Sequence, residues 1–163
     1  MSALPVFALL DLIAWSEGTS TNPLTKNDGY DVIVTGVDGP SVFTDYSDHP
    51  FASGRAPVLV RRDPPLESTA SGRYQILLHW WIAYKQQLGL PDFSPASQDQ
   101  VAIQQMKERG ALVFLANGNV QAAIEACSNI WASLPGNNYG QPGGKTMVAL
   151  LNQYQTFAEN LPV

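Results

Sequence analysis

The sequence contains few of the residues from which disulfides and metal sites are built. Cys127 is the only cysteine among 163 residues, so an internal disulfide is excluded. The two histidines, His49 and His79, lie far apart and lack the spacing of metal ligands. We therefore expect Cys127 to be an inert thiol in a helical core, and we expect no metal and no other cofactor.

Charged residues are also scarce, at 14% of the chain, and acidic residues outnumber basic ones. A net charge of −5 and a sequence pI of about 4.8 give no electrostatic basis for binding nucleic acid or anionic lipid. Hydrophobic residues make up 45% of the sequence, and 163 residues can bury one sizeable core. We expect a single domain over residues 1–163 that acts as a monomer.

No hydrophobic run is long enough to cross a bilayer. The apolar segment over residues 3–15 is interrupted by Asp11 and is shorter than the roughly 20 residues that a membrane-spanning helix needs. It also lacks the basic start and the small-residue cleavage site of a secretory signal. We interpret it as a core helix, and we expect no stable membrane insertion and no export signal.

Hydrophobic spacing, prolines and glycines predict a mainly helical chain of the α+β class, with one small β-hairpin near its N-terminal third. The hairpin is predicted to pair residues 30–34 with residues 41–46, and the proline-rich residues 47–66 are predicted to form a long loop. Helices are predicted over residues 5–17, 72–88, 94–109, 119–129 and 144–160, with a short apolar piece at 111–115.

The stretch AWSEGT places Glu17 where the first apolar helix ends. Unpaired carbonyl groups at a helix C-terminus disfavour a carboxylate, and the apolar neighbours of Glu17 would desolvate it, so both effects raise a carboxyl pKa. A carboxylic acid that stays protonated near neutral pH is what glycosidic bond cleavage requires. The alternative is a solvated glutamate with an ordinary pKa.

Asp31 and Asp45, on the predicted hairpin, are the candidates for a second carboxylate. A separation of about 5 Å from the acid would suit a retaining nucleophile, and about 6.5–9.5 Å would suit an inverting base. The alternative is that each aspartate is a hairpin residue paired with backbone amides or with an arginine.

Two stretches combine neutral polar groups with flat rings, a combination that suits polyhydroxylated ligands. One is STASGRYQ over residues 68–75, and the other is SNIWASLPG over residues 128–136. The alternatives are that Ser68 or Ser71 caps a helix, and that Tyr74 and Trp131 lie in the core. We also expect Trp81 to pack inside.

Seven stretches together resemble the phage lambda lysozyme family: AWSEGT, GYDVIV, FTDYSDHP, STASGRYQ, QLGLPDFSPASQD, QQMKERGAL and CSNIWASLPGNNYGQ. They follow one another in order over residues 10–141. The resemblance implies a lysozyme-like α+β fold. It also implies an endolysin that is a lytic transglycosylase, which cleaves the β-1,4 bond between N-acetylmuramic acid and N-acetylglucosamine and leaves 1,6-anhydro-muramic ends.

The resemblance also implies roles for particular residues. Glu17 corresponds to the catalytic acid of the WSEG motif, a role that needs neither an enzyme nucleophile nor Asp31. Residues 47–67 and 131–141 would form two lips over a saccharide groove. The expected substrate contacts are Tyr30, Asp31, Ser68, Tyr74, Gln75, Asn129, Ile130, Trp131 and Tyr139.

The expected partner is the glycan strand of peptidoglycan. The resemblance implies synthesis in the cytoplasm of the host bacterium and action on the cell wall in the periplasm, which a separate holin-type protein would make accessible. The alternatives are a hydrolytic lysozyme that uses a second carboxylate such as Asp31, and a glycan-binding module without catalysis. A zinc amidase or peptidase would need ligands that two distant histidines hardly supply.

Overall fold

The computed structural model describes residues 3–136 and 145–162. This part of the chain forms six helices and four short strands. In chain order they are α1 (Leu4–Glu17), β1 (Val32–Gly36), β2 (Gly39–Val42), β3 (Val58–Arg62), β4 (Pro65–Ser68), α2 (Leu78–Leu88), α3 (Pro95–Glu108), α4 (Ala111–Ala116), α5 (Val120–Cys127) and α6 (Met147–Asn160).

The chain divides into two compact units. The first comprises Met1–Glu17 and Ala102–Val163, and the second comprises Gly18–Val101, so the division falls inside α3. The expectation of a single domain over residues 1–163 stays a prediction.

In the first unit, α1 packs against α4 and α6, while α5 packs against both α4 and α6. Most of α1 is buried, and the side chains of Leu9, Leu12 and Ile13 have no exposed surface. A helix that is apolar on most of its sides belongs inside a protein, which confirms the prediction of a core helix here. Gly18, with φ of 75°, follows its last residue and suits the left-handed conformation common at helix ends.

The second unit contains two antiparallel hairpins. The first pairs β1 with β2, with Val32 opposite Val42 and Ile33 opposite Ser41. The second pairs β3 with β4, with Val58 opposite Ser68. The prediction of a loop over residues 47–66 was therefore wrong for its second half. Consecutive prolines suggested a loop, but Pro65 opens a short outer strand, a position where a missing N–H group costs little.

The second hairpin lies against the first through Gly36. The amide of Val37 donates to the carbonyl of Leu59 at 2.9 Å. A Cβ atom on Gly36 would lie 2.5 Å from a methyl group of Val58 and 2.9 Å from the Leu59 oxygen. Only a residue without a side chain permits this approach, so Gly36 is what allows β3 to pack on β1.

Helix α2 begins at Leu78, not at Gly72 as predicted. Residues 71–76 form a tight turn in which Ser71 and Ile76 exchange two backbone hydrogen bonds of 3.1 and 2.8 Å. Gly72 and Gln75 both have positive φ, at 80° and 52°, which a right-handed helix does not allow. The amide of Leu78 is capped by the hydroxyl of Thr69 at 3.0 Å, so the capping role suggested for Ser68 or Ser71 was also wrong.

Aromatic side chains fill the interior of the second unit. Trp81 has no exposed surface, Tyr74 is 1% exposed, and Trp80 is half exposed. Phe93 packs edge-on against Trp81 at 4.8 Å between ring centres. These positions confirm that Tyr74 and Trp81 are core residues.

The state of Cys127 and the length of the helices were two further expectations. Cys127 is fully buried, and this burial raises the pKa of its thiol to about 12, as expected of an inert core thiol. Among the described residues, no helix combines the length and the apolar character that crossing a membrane requires.

His49 provides a test of the core of the second unit. Its ring is buried, Nε2 donates to the carbonyl of Ile76 at 2.8 Å, and Nδ1 accepts from the amide of Phe51 at 3.2 Å. In the neutral ring, both nitrogens therefore form a hydrogen bond. Burial lowers the pKa of His49 from its usual 6.5, although the carbonyl of Ile76 and the charge of Asp48 oppose this effect.

We predict that the free energy of unfolding falls as the pH drops below about 6.5, because the unfolded chain then binds a proton that the folded ring rejects. The slope attributable to His49 should approach about 1.4 kcal/mol per pH unit. Urea unfolding at several pH values measures it. His49→Asn retains an acceptor for Phe51 and should lose this part of the slope, whereas His79→Asn, at an exposed position, should keep it.

Candidate functional site

Glu17, the last residue of α1, points its carboxyl group at the segment that follows α5. The hydroxyl of Ser133 donates to Glu17 Oε1 at 2.7 Å, and the hydroxyl of Ser16 donates to Ser133 Oγ at 2.9 Å. The backbone amide of Ser133 also donates to the Glu17 carboxyl group. One residue of the opposing segment therefore supplies two donors to this carboxyl group.

The environment of Glu17 favours its protonated form. Burial raises the pKa of Glu17 above its ordinary value, and the two hydrogen bonds from Ser133 offset part of that rise. This direction agrees with the desolvation argument made from the apolar neighbours of Glu17. The side chain is half-buried, so the group is an acid partly shielded from water, with donors that limit how weak an acid it becomes.

The segment after α5 is held by its own backbone. The amides of Ile130 and Trp131 both donate to the carbonyl of Cys127, and the amide of Leu134 donates to that of Trp131. Asn129 is exposed, Ile130 is half-buried, and Trp131 is 3% exposed. Trp131 is therefore a core residue, as one of the two interpretations held.

Lys145, which precedes α6, contacts both the segment after α5 and helix α1. Its amide donates to the carbonyl of Ser133 at 3.4 Å, and its ammonium group lies 4.9 Å from the ring centre of Trp15. The predicted lip over residues 131–141 is described only as far as residue 136, and Tyr139 lies outside the described residues.

Two of the predicted substrate contacts, Tyr30 and Tyr74, are brought together in the second unit. Their rings meet edge-on at 6.2 Å, and both hydroxyls donate to Asp99 Oδ1, at 2.8 and 2.6 Å. Arg73 donates to the hydroxyl of Tyr74 at 3.1 Å, and its guanidinium lies 5.3 Å from the Tyr30 ring centre. Burial raises the pKa of Tyr30 to about 12 and raises that of Tyr74 further, so both remain hydrogen-bond donors.

Asp31 is bound within its own loop. It is 5% exposed, its Oδ1 accepts from the hydroxyl of Thr25, and its Oδ2 accepts from the amide of Lys26. Asp45 is exposed, accepts from the amide of Ser47, and has its pKa lowered by its hydrogen bonds with Ser47. Each aspartate thus pairs with a backbone amide, which is the alternative that the sequence left open.

The remaining predicted contacts, Ser68 and Gln75, are half-buried and bonded locally. The hydroxyl of Ser68 accepts from the amide of Ala70 at 3.1 Å, and the side-chain amide of Gln75 donates to the carbonyl of Gly72 at 3.0 Å. Of the predicted residues, Glu17, Asn129, Ile130 and Trp131 belong to the first unit, and Tyr30, Asp31, Ser68, Tyr74 and Gln75 belong to the second.

The sequence analysis did not single out Ser133, Arg73 or Asp99. Ser133 and Arg73 lie within stretches that had been noted for their polar groups, so a signal existed but was too general to select them. Asp99 lies in α3, and nothing in its spacing indicates two tyrosine partners. Across residues 3–136 and 145–162, no group of three or more His, Cys, Asp or Glu side chains is placed to hold a metal ion.

A model of the endolysin family matches residues 7–161. The chain belongs to the endolysin family. It is 62% identical over 138 residues to the endolysin of Escherichia phage P2, an alignment that covers 83% of this chain and 82% of that relative. It is 58% identical over 135 residues to the endolysin of Escherichia phage lambda, with 82% and 79% covered.

Two solved structures share the fold. Bacteriophage lambda lysozyme complexed with a chitohexasaccharide matches with a TM-score of 0.85, at 50% identity over 96% of each chain. Lysozyme from bacteriophage lambda matches with a TM-score of 0.75, at 46% identity over 98% of this chain and 92% of that chain. These similarities confirm the expected lysozyme-like α+β fold and the resemblance to the phage lambda lysozyme family.

The bonding of Asp31 generates a stability prediction. Asp31→Asn replaces one buried acceptor by a donor facing the Lys26 amide or the Thr25 hydroxyl, so it should lower the free energy of unfolding by about 1–3 kcal/mol. Asp45→Asn, at an exposed position, is the matched control and should leave the urea midpoint nearly unchanged. Equal midpoints for the two variants would contradict the structural role given to Asp31.

Proposed function

We propose that this chain is an endolysin enzyme that cleaves the glycan strands of peptidoglycan, with Glu17 as its acid. The observation that carries the proposal is the half-buried Glu17 side chain at the end of an apolar helix, where its carboxyl group is bonded to Ser133 and desolvation raises its pKa. Membership of the endolysin family supports the biological role, and the lambda lysozyme bound to a chitohexasaccharide supports a saccharide substrate.

We further propose that cleavage is a lytic transglycosylation. Protonated Glu17 donates its proton to the oxygen of the β-1,4 bond between N-acetylmuramic acid and N-acetylglucosamine, and the C1–O bond breaks. The C6 hydroxyl of the muramic residue then attacks C1 and gives its proton to the Glu17 carboxylate. The 1,6-anhydro ring closes, the acid is regenerated, and no water is consumed.

The bonding of the two aspartates favours this mechanism over hydrolysis. A hydrolytic lysozyme would need a second carboxylate as nucleophile or as base for a water molecule. Both oxygens of Asp31 already accept hydrogen bonds from Thr25 and Lys26, and Asp45 is an exposed residue bound to Ser47. The muramic N-acetyl group is the group we expect to stabilise the cationic centre, as in substrate-assisted enzymes.

The remaining elements of the proposal concern access to the substrate. We propose that the protein is made in the cytoplasm of a host bacterium, acts as a monomer on the cell wall, and depends on a holin-type protein to reach it. The proposed groove contacts remain Tyr30, Ser68, Gln75, Asn129, Ile130 and Tyr139. The other expected contacts are less accessible, since Tyr74 and Trp131 are core residues and both oxygens of Asp31 already accept hydrogen bonds.

Replacement of the acid tests the site. Glu17→Gln preserves the shape of the side chain but cannot donate an acidic proton, so it should lower the rate on purified peptidoglycan by about 10²-fold or more. Glu125→Gln makes the same change at an exposed position of α5 and should retain wild-type activity. A Glu17→Gln variant that is folded and fully active would refute catalysis by Glu17, and the activity would then have to come from another site.

The products test the type of reaction. Digestion of purified peptidoglycan should release muropeptides with 1,6-anhydro-muramic ends, one water lighter than hydrolytic products and unchanged by borohydride. Mass spectrometry before and after borohydride treatment measures both properties, with a digest by a hydrolytic muramidase as the reference. Reducing muramic ends without the anhydro form would overturn transglycosylation in favour of hydrolysis, while leaving the role of Glu17 as an acid intact.

A further inference from the structure

A chain of three side chains ends on the proposed acid. Ser16 Oγ donates to Ser133 Oγ at 2.9 Å, and Ser133 Oγ donates to Glu17 Oε1 at 2.7 Å. Since the Ser133 hydroxyl accepts from Ser16, its own hydrogen is directed to Glu17. This chain links the last turn of α1 to the segment after α5.

We propose that Ser133 is a positioning residue that holds the Glu17 carboxyl group in the orientation and protonation state that the reaction requires. The proposal rests on the proposed function of Glu17 as the acid. Ser133 itself touches no reacting atom and acts only through Glu17.

The hydrogen bond from Ser133 distinguishes the two oxygens of the Glu17 carboxyl group. A carboxyl oxygen that accepts a hydrogen bond from Ser133 has one lone pair occupied by that bond. Oε1 is that acceptor. The Ser133 hydroxyl therefore restrains Oε1 and bonds to only one of the two oxygens, which limits rotation of the carboxyl group.

Ser133 also affects the acid strength of Glu17 electrostatically. Burial alone would make Glu17 a very weak acid that holds its proton too firmly to transfer it well. The hydroxyl and the amide of Ser133 both stabilise the carboxylate form, and each lowers the pKa from the value that burial would impose. Ser133 thus sets the strength of the acid between that of a solvated glutamate and that of a fully desolvated one.

The position of Ser133 is itself fixed by the protein. Its carbonyl accepts from the amide of Lys145, and its hydroxyl accepts from Ser16. The amide of Leu134 donates to the carbonyl of Trp131, a buried residue. A donor held by two of its own hydrogen bonds, beside a neighbour that is also bonded, can orient a carboxyl group without much loss of conformational freedom on binding.

Within the first unit, few other charged groups lie on the elements that pack against α1 and could shift the pKa of Glu17. The elements packed against α1 are α4, which has no ionisable residue, and α6. The titratable groups on α1, on α6 and just before α6 are Asp11, Lys145, Tyr154 and Glu159. Tyr154 bonds to Pro5 at the opposite end of α1. Lys145 lies over Trp15, which is two residues from Glu17 and faces another side of the helix.

The test compares variants by the pH dependence of kcat/KM on peptidoglycan. Ser133→Ala should lower kcat/KM at the wild-type optimum roughly 3- to 30-fold. It should also move the alkaline limb to higher pH, because loss of a donor to the carboxylate raises the pKa of the acid. Ser133→Thr keeps the hydroxyl and should restore the position of the limb.

A serine elsewhere in the same unit controls for loss of stability alone. Ser128 is buried and its hydroxyl bonds to the carbonyl of Glu125, so Ser128→Ala removes a similar buried bond without touching Glu17. Its alkaline limb should stay at the wild-type pH. A limb that moves equally in Ser128→Ala, or that stays fixed or moves to lower pH in Ser133→Ala, would overturn the proposal.

A measurement on the wild-type protein covers the case in which Ser133→Ala does not fold. In an NMR titration, the amide signal of Ser133 should shift with the same midpoint as the side-chain carboxyl carbon of Glu17. A Ser133 amide signal that does not shift at the midpoint of the Glu17 titration would overturn the proposal. If Glu17→Gln keeps full activity, the proposed function fails. If Glu17→Gln is inactive and the alkaline limb of the pH profile of Ser133→Ala stays at the wild-type pH, only the role of Ser133 is overturned.

Discussion

The chemistry proposed for this protein depends on one ionisable group being partly shielded from water at the end of an apolar helix. Burying a carboxylate without partners costs several kcal/mol, so such a group takes up a proton or finds donors. In Glu17, desolvation raises the pKa, and the two donors from Ser133 lower it again in part. Helix α1 contributes the apolar surroundings because most of its side chains are buried. The position of the acid is therefore a consequence of packing in the first unit, and its strength is a balance between desolvation and hydrogen bonding.

The second unit uses its polar groups differently. Asp99 accepts from both Tyr30 and Tyr74, and Arg73 lies against both rings. The backbone around this network is fixed by Gln98, whose side chain accepts from the amide of Arg73 and donates to the carbonyl of Phe93. A saccharide that reached Tyr30 would meet a hydroxyl already bound by Asp99, so the half-buried Tyr30 ring is the surface left for contact, whereas Tyr74 is buried. The network is thus a rigid support whose proposed part in binding is indirect.

Much of the fold could be predicted because local signals and burial agreed. Helix α1 was predicted from apolar spacing and a terminal glycine. The helix predicted to begin at residue 119 is α5, and Asn119 caps it by accepting from the amide of Ala122. The errors arose where tertiary contacts decided the outcome. The β3–β4 hairpin forms despite its prolines because Gly36 lets it pack on β1. The turn before α2 depends on positive φ at Gln75, which composition does not reveal. Glu17 was found from its neighbours, whereas Ser133 could not be, because its contact with Glu17 joins residues far apart in the chain.

The buried thiol of Cys127 has a practical consequence for experiments on this molecule. Its burial and its pKa of about 12 leave almost no thiolate at neutral pH, and it is the only cysteine in the sequence. A cysteine introduced at an exposed position, such as Ser53, would therefore be the one site that a maleimide dye or spin label attacks in the folded protein. Pairs of such labels could report distances across the molecule without removing the native cysteine, so the core that surrounds it need not be disturbed.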